Sequence, residues 1–250
     1  MTSDGLGRPG HDRAATIRVA LVALFVTALV TAQILAAKIL GVALGGTLPV
    51  VGGAILVPAG VIAYALTFFA TDCLSELYGK RTAQVVVNVG FAMILVMLGL
   101  VWLALSAPSA RALGIPAGVD PAAFSSVLGF TPGIVLGSLA AYVVSQNWDV
   151  FAFHAIRGRT GRDHLWARNI GSTATSQLVD TVIFILVAFW LAPRLLGLGQ
   201  ASAAPVLASL VVGQYLVKLF IALVDTPFVY AVVGYVRSPG GFVFPDEAEG

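Results

Sequence analysis

Residues 83–105 read AQVVVNVGFAMILVMLGLVWLAL, a stretch of 23 residues without one charged side chain. As an α-helix this stretch would be about 35 Å long, at 1.5 Å per residue. The hydrocarbon core of a bilayer is about 30 Å thick and needs roughly 20 apolar residues to cross it. The stretch therefore predicts a transmembrane helix.

Further apolar runs are long enough to cross a bilayer, and they cover residues 19–37, 54–74, 133–153, 172–191 and 205–236. The fold class that we predict is an all-α integral membrane protein with six transmembrane helices. The last run is too long for one perpendicular crossing. It contains Asp225, Thr226 and Pro227, so we expect a tilted or kinked helix there.

The composition argues against a soluble protein. Hydrophobic residues make up 58% of the chain and charged residues only 10%, whereas a soluble domain carries roughly 25% charged residues. The Lys and Arg side chains form no cluster on one polar face, so we expect no nucleic-acid partner. One cysteine, Cys73, can form neither an internal disulfide nor a cysteine-built metal site. We expect the lipid bilayer as surroundings and no cofactor.

The distribution of positive charge predicts the topology. The connections on one side of the membrane carry only Arg111 and Arg194, while the tails and connections on the other side carry ten Lys or Arg residues. Because cytoplasmic loops are rich in Lys and Arg, both termini are predicted to be cytoplasmic. The chain then divides into a disordered cytoplasmic tail (1–18), a transmembrane domain (19–236) and a second cytoplasmic tail (237–250).

Two connections have unusual compositions. Residues 41–53 are uncharged and rich in glycine, which fits either an extracellular loop or a re-entrant segment packed inside the bundle. Residues 106–130 contain Pro108, Pro116 and Pro121, and they are predicted to form the longest extracellular loop.

Polar side chains within the runs are candidates for a functional site, because an ionisable group in a bilayer is costly unless it faces a partner, water or the bundle interior. The last run places Gln214, Lys218 and Asp225 at spacings of four and seven residues, on one stripe of a helix. The fourth and fifth runs share the pattern serine, glutamine, two residues, aspartate. The copies are Ser145, Gln146, Asp149 and Ser176, Gln177, Asp180. In each copy the glutamine and the aspartate share one face, and the two matches weakly suggest an internal repeat.

The first two runs carry four further candidates. Gln33 and Lys38 lie five residues apart, on different faces of a helix, and Lys38 could instead extend to the outer interface. Asp72 and Glu76 lie one helical turn apart. Glu76 could instead be in water at a cytoplasmic helix end, close to the basic pair at residues 80 and 81.

Acidic side chains outnumber basic ones within the runs. The acidic residues are Asp72, Asp149, Asp180 and Asp225, and the basic ones are Lys38 and Lys218. If all were ionised, the interior would be net negative, so it should hold a proton, a metal cation or a cationic substrate, or keep a carboxyl neutral. This chemistry fits coupled transport. Lys218 could alternatively pair with Asp180 or Asp225 as a link between helices.

Aromatic side chains lie next to these polar residues, for example Tyr142, Trp148 and Tyr215. Most of them are expected to pack or to face lipid. A carboxylate beside a stacking ring would nevertheless suit a guanine-like base, whose edge presents two donors side by side.

Small residues recur at every fourth position in two runs. They are Ala28, Ala32 and Ala36 in the first run, and Gly133, Gly137 and Ala141 in the fourth. Such stripes allow close approach of helices, either within the bundle or to a partner protein. We expect packing within the bundle.

Motifs of enzymes are weak. The chain has no G-x-x-x-x-G-K-[ST] phosphate-binding loop, and none of its histidines lies within a run, so no histidine-built metal site is predicted in the membrane. Two intramembrane aspartates could form a protease dyad, but their spacing does not select that chemistry. We therefore expect that the protein is not an enzyme.

The sequence resembles the putative vitamin uptake transporters, a family also called queuosine precursor transporters, over nearly all of the runs. The matching segments are AQILAAK (32–38), LTF (66–68), TD (71–72), SELYGK (75–80), LWARN (165–169), GST (171–173), SQLVDT (176–181), QY (214–215), Lys218, DTP (225–227) and Tyr230. Gln33 stands where we expect asparagine in the family, which keeps the amide but changes its reach.

The resemblance implies import of 7-cyano- or 7-aminomethyl-7-deazaguanine, a purine-like precursor of queuosine or archaeosine, across the cell membrane for tRNA modification. It also implies a six-helix bundle similar to the substrate-binding subunits of energy-coupling-factor vitamin transporters. The predicted substrate-binding residues are Gln33, Lys38, Asp72, Glu76, Asp149, Asn169, Gln177, Asp180, Gln214, Lys218 and Asp225.

Three functional hypotheses follow from these observations. The first is an autonomous secondary carrier driven by a proton or a sodium ion, and the second is a binding subunit that needs separate ATPase partners. The third is an intramembrane enzyme. The sequence favours the first and leaves open the identity of the base, the coupling ion and the existence of a homodimer.

Overall fold

A computed structural model of the protein describes residues 9–49, 51–160, 165–198 and 200–237. It is mostly helical. Its main elements are α1 (Pro9–Leu35), β1 (Ile39–Leu48), β2 (Gly52–Pro58), α2 (Gly60–Ser106), α3 (Pro121–Leu128), α4 (Thr131–Thr160), α5 (Leu165–Leu186), α6 (Ala192–Leu196) and α7 (Ala204–Arg237). A 3₁₀ turn spans Ala110–Leu113 and a π-helical segment spans Val187–Leu191.

Five helical stretches of the described chain are long and apolar enough to cross a membrane. They are Ala15–Leu35, Gly60–Leu113, Pro121–Ile156, Gly171–Leu196 and Ala204–Arg237. Large apolar side chains such as Trp102, Leu223 and Phe228 are exposed on these helices, as expected for surfaces that face lipid rather than water. The predicted helical membrane protein is therefore confirmed in its class.

The third predicted span and most of the second lie on one long helix, α2. Its 47 residues would be about 70 Å long if the helix were straight. The backbone leaves the helical conformation at Gly79, where φ is 78° and ψ is 157°, a region that essentially only glycine adopts. This break lies between the predicted spans 54–74 and 83–105. Two crossings by α2, and hence six spans in all, stay a prediction.

The glycine-rich segment after α1 is a two-stranded hairpin. β1 and β2 pair antiparallel from Ile39 opposite Pro58 to Ala43 opposite Ala54, with an irregularity before Leu48. The predicted start of the second span at residue 54 is wrong, because β2 occupies this position and α2 begins at Gly60. Hydropathy measures how apolar the side chains are, and an apolar strand such as β2 scores like the end of a helix.

The structure describes part of the first predicted tail and almost none of the second. α1 begins at Pro9, so residues 9–18 of the segment predicted as a disordered tail continue the first helix beyond its apolar part. The second predicted tail lies outside the described residues from residue 238 onward. α7 continues through Pro227 as a single helix, and the Thr226 hydroxyl donates to the Ala222 carbonyl at 2.8 Å.

The described helices pack into two compact units. The first unit contains the chain up to Ala32, residues 62–94 of α2, and α7 from Phe220 onward. In this unit, α1 and α2 approach closely at Gly90, where a Cβ atom would lie 2.6 Å from the Phe25 ring and 2.8 Å from Leu29.

The second unit contains residues 33–61 and 95–219. Its core is built from side chains of α4, α5 and α7, of which Ile134, Ile185 and Leu210 are almost fully buried. The small-residue stripe of α4 lies in this core, since a Cβ atom on Gly137 would be 2.8 Å from Ala188. The alanine stripe of the first run is also buried, with Ala28 and Ala32 of α1 in the first unit and Ala36, just after α1, in the second, each 2–4% exposed. Both stripes thus serve packing within the chain.

The hairpin is fixed to α7 by one buried hydroxyl. Ser209 Oγ donates to the Ala54 carbonyl at 2.7 Å and accepts from the Leu56 amide at 3.1 Å. One turn further along α7, a Cβ atom on Gly213 would lie 2.2 Å from the Leu56 carbonyl oxygen. Glycine at this position therefore lets strand and helix touch backbone to backbone.

Candidate functional site

The second unit contains a buried ion pair between α5 and α7. Lys218 Nζ lies 2.6 Å from Asp180 Oδ2, and the two side chains are 3% and 24% exposed. Of the two partners that the sequence allowed for Lys218, the structure selects Asp180. A buried ammonium group without a partner would cost several kcal/mol, so this contact offsets much of the cost of placing Lys218 inside the membrane.

Asp180 has a further partner on α4. Ser145 Oγ lies 3.3 Å from Asp180 Oδ1 and also 3.3 Å from the carbonyl oxygen of Tyr142 in its own helix. The two copies of the serine, glutamine and aspartate pattern therefore meet, since the serine of the first contacts the aspartate of the second. Both carboxylate oxygens of Asp180 are engaged, one by a cation and one by a hydroxyl.

A tyrosine connects the same two helices one turn away. The Tyr215 hydroxyl on α7 donates to the Ala174 carbonyl on α5 at 3.2 Å. Tyr215 and Lys218 thus hold α5 at two points, and Gln177 lies between those points along the sequence of α5. Gln214 directly precedes Tyr215 on α7.

Four side-chain oxygens in this unit are buried and have no hydrogen-bond partner among the described residues. One is the hydroxyl of Thr131, and the other three belong to carboxyl and amide groups: Oδ1 of Asp149, Oε1 of Gln177 and Oε1 of Gln214. A buried acceptor without a partner costs about 1–3 kcal/mol. All three atoms accept and none donates, so a ligand that presents N–H groups would satisfy them.

Gln33 and Lys38 lie elsewhere in the second unit. Gln33 is 1% exposed, and its Oε1 accepts from Ser138 Oγ on α4 at 3.1 Å. Its amide oxygen therefore already serves a contact between helices. The Lys38 side chain is exposed, while the Lys38 carbonyl accepts from the Ala59 amide at 2.7 Å and closes the base of the hairpin. No contact in the described part of the chain joins Lys38 to the ion pair.

Three predicted site residues belong to the first unit. Asp72 and Glu76 are exposed on α2, and the Asp225 and Glu76 carboxyls lie near that of Asp72. Asp225 on α7 is 8% exposed, and neither of its carboxylate oxygens has a partner among the described residues. No group of three His, Cys, Asp or Glu side chains suited to a metal ion occurs in the described part of the chain. The side chain of Asn169 lies outside the described residues.

Three residues that contact the predicted site were not predicted as part of it. Ser145 was visible in the repeated pattern, but its role as a donor to Asp180 was not. Tyr215 was visible as an aromatic residue next to Gln214, but its contact with α5 was not. Ser138 gave little signal, because serines occur at many positions of membrane helices without a specific partner. Their contacts depend on which helices are neighbours.

Comparison with known proteins extends these observations. The model of a family described as putative vitamin uptake transporter matches residues 58–232. A protein of Bacillus subtilis (strain 168), named probable queuosine precursor transporter, is 38% identical over 177 residues, which are 69% of this chain and 69% of that protein. No solved structure gives a significant match.

The family match covers the elements that form the site. Its range includes all of α2, α4 and α5 and α7 as far as residue 232, and thus both partners of the Lys218–Asp180 ion pair. The family and the Bacillus relative are transporters and not enzymes, in agreement with the expectation from the sequence. With its five long apolar helices, the chain is a multi-pass membrane protein that belongs to the putative vitamin uptake transporter family.

Proposed function

We propose that the protein imports a queuosine precursor, 7-cyano- or 7-aminomethyl-7-deazaguanine, across the cell membrane as a secondary transporter. The observation that carries the proposal is the 38% identity to a protein named probable queuosine precursor transporter. The chemistry of the second unit supports a purine-like ligand, and it suggests which residues bind it.

The edge of a guanine-like base presents two N–H donors side by side and a neighbouring carbonyl acceptor. The unpartnered oxygens of Gln177 and Gln214 suit the two donors. The ammonium of Lys218 carries three N–H donors and can give one to a carbonyl oxygen while it keeps Asp180. We assign these four side chains to the base, and Asp149 to the same site through its unpartnered oxygen.

The packing of α1 favours an autonomous carrier over a subunit that docks on ATPase partners. The partner-dependent hypothesis relied on the stripe of Ala28, Ala32 and Ala36, and these residues are buried within the chain. A buried stripe offers no surface for a second protein. The Lys218–Asp180 pair joins α5 to α7, so a base that contacts both residues would change how these two helices pack, as a carrier requires.

The test of the substrate uses cells that cannot synthesise the precursor and have no carrier for it. Such cells expressing this protein and fed one base at low concentration should regain queuosine in their tRNA, as measured by mass spectrometry of nucleosides. Excess guanine or adenine should not compete. A strain that stays without queuosine, although the protein is present in its membrane, would contradict the proposal.

The test of autonomy uses the purified protein alone in liposomes. A secondary carrier should exchange labelled precursor outside for unlabelled precursor inside without ATP or any other protein. If exchange requires an added ATPase complex, the protein is a binding subunit instead.

A further inference from the structure

Asp225 and Asp180 are two intramembrane acids with opposite surroundings. Asp180 contacts the ammonium of Lys218 and the hydroxyl of Ser145. Asp225 is 8% exposed, and both of its carboxylate oxygens are buried without a hydrogen-bond partner among the described residues. The function of Asp180 is accounted for by its partners, whereas that of Asp225 is not.

Burial and the neighbouring acid Asp72 make a negative charge on Asp225 costly, and the cations Arg18 and Arg237 contact other groups. On α2 the nearby titratable side chains are Asp72 and Cys73, with Glu76 one turn beyond Asp72. On α1, Arg18 lies over the Tyr78 ring, 5.8 Å from its centroid. Arg237 of α7 donates to the Glu76 carbonyl. No described cation forms an ion pair with Asp225, so an ionised Asp225 would be a buried, uncompensated charge.

A proton needs fewer partners at Asp225 than a metal ion does. A metal cation needs several oxygen ligands at once, and the described side chains provide no group of three acidic, His or Cys ligands for one. A proton needs a single carboxylate oxygen. It also removes the charge, and with it most of the cost of burial in the membrane.

We propose that Asp225 binds the proton that drives transport, and we assign it to this proton instead of to the substrate. The assignment rests on the proposed function as a carrier. A proton from outside forms an O–H bond with a carboxylate oxygen of Asp225, and that bond breaks when the proton leaves to the cytoplasm. The neutral acid is compatible with burial, while the carboxylate favours conformations that admit water, so protonation shifts the balance between carrier states.

The experiment uses the purified full-length protein in liposomes, with labelled precursor and two measurements on each variant. Counterflow, the exchange of labelled for unlabelled precursor without a gradient, reports binding and conformational change. Accumulation against an imposed pH gradient reports coupling. For one proton per neutral base, one pH unit should give about tenfold accumulation, because one unit corresponds to 1.36 kcal/mol.

Asp225→Asn mimics the neutral acid and cannot release a proton. We expect it to keep counterflow and to lose accumulation in the pH gradient, with no substrate-dependent change in the internal pH. Asp225→Glu, which restores a carboxyl, should accumulate the precursor again. The control is Asp120→Asn, because Asp120 caps α3 by accepting from the amides of Ala122 and Ala123 and asparagine caps equally well. This control should behave like the wild type.

Several outcomes would overturn the assignment. One is that Asp225→Asn accumulates the precursor as well as the wild type does. Another is that accumulation by the wild type follows a sodium gradient and not a pH gradient. If Asp225→Asn loses counterflow as well, the Asp225→Glu variant tests the assignment. Counterflow without pH-driven accumulation in Asp225→Glu would reject the proton site. Absence of counterflow in the wild type would instead reject the proposed function, and the proton site with it.

Discussion

Lys218 and Asp180 each lower the free-energy cost of burying the other's charge. With a 2.6 Å contact and a lysine that is 3% exposed, removal of either partner takes the opposite charge away from the buried group that remains. Removal of both leaves only the Ser145 hydroxyl, which still has the Tyr142 carbonyl as an acceptor. The pair is therefore predicted to matter differently for stability and for transport.

Asp180→Asn and Lys218→Met should each destabilise the protein by about 3 kcal/mol, at the lower end for buried pairs because Asp180 is partly exposed. The double variant Lys218→Met with Asp180→Leu should recover most of this loss. Thermal unfolding in detergent measures the stability, and precursor uptake should be lost in all three variants. Normal uptake by the double variant would show that the pair only links helices.

Substitution of Gln177 or Gln214 should reduce uptake without reducing stability. Their buried oxygens have no partner in the described protein, so Gln177→Leu and Gln214→Leu should leave the melting temperature unchanged or raise it. Uptake at low precursor concentration should fall about fivefold for each variant, the equivalent of one hydrogen bond of about 1 kcal/mol. The matched control is Gln84→Leu, since Gln84 is exposed and contacts Asn88 one turn away. A lower melting temperature without loss of uptake would show that the two oxygens are structural.

At the level of residues, the sequence identifies candidate side chains such as Lys218 and Asp180 but not how they pair. The stripe on α7 presents Lys218, and both Asp180 and Asp225 were open as its partner. The choice depends on which helix lies opposite each turn of α7, and that is a property of the packing. Ser138 is a similar case, because its contact with Gln33 follows from the approach of α1 and α4.

Among the secondary-structure elements, the helices were predictable and the hairpin was not. A run of about 20 apolar residues has few alternatives to a helix in a bilayer, so each predicted span lies mostly within a helix of the structure. Residues 39–58 are apolar and rich in glycine, and their strand pairing satisfies the backbone through partners distant in sequence. Hydropathy depends only on the residues of the segment itself and therefore does not predict those partners.

Glycine substitutions in α7 test how the hairpin is held. Gly213→Ala places a Cβ atom on the Leu56 carbonyl oxygen, and we expect a loss of about 1–3 kcal/mol from overpacking. Gly234→Ala, in the same helix, meets no atom within 4 Å and should gain up to about 1 kcal/mol in helix propensity. Thermal unfolding of both variants makes the comparison. Equal melting temperatures would indicate that β2 does not rest on α7 at this position.

For the molecule as a whole, the predicted number of crossings can be tested by labelling of cysteines. Cys73 is fully buried and is the sole cysteine of the chain, so a Cys73→Ala background permits labelling of single introduced cysteines. If α2 crosses twice, Leu113→Cys should react with an impermeant maleimide in intact cells. Thr82→Cys, just after the break at Gly79, should react only after permeabilisation. Labelling of Thr82→Cys from outside would contradict the predicted topology.

The break at Gly79 has a consequence for how the protein is made. The first half of α2 ends there with carbonyl groups that lack helical partners, and the guanidinium of Arg237 binds one of them, the Glu76 carbonyl, at 2.6 Å. Arg237 emerges from the ribosome 161 residues after Glu76. Until then the Glu76 carbonyl needs another hydrogen-bond donor, such as water, and the break in α2 acquires its partner from α7 only as translation of α7 is completed.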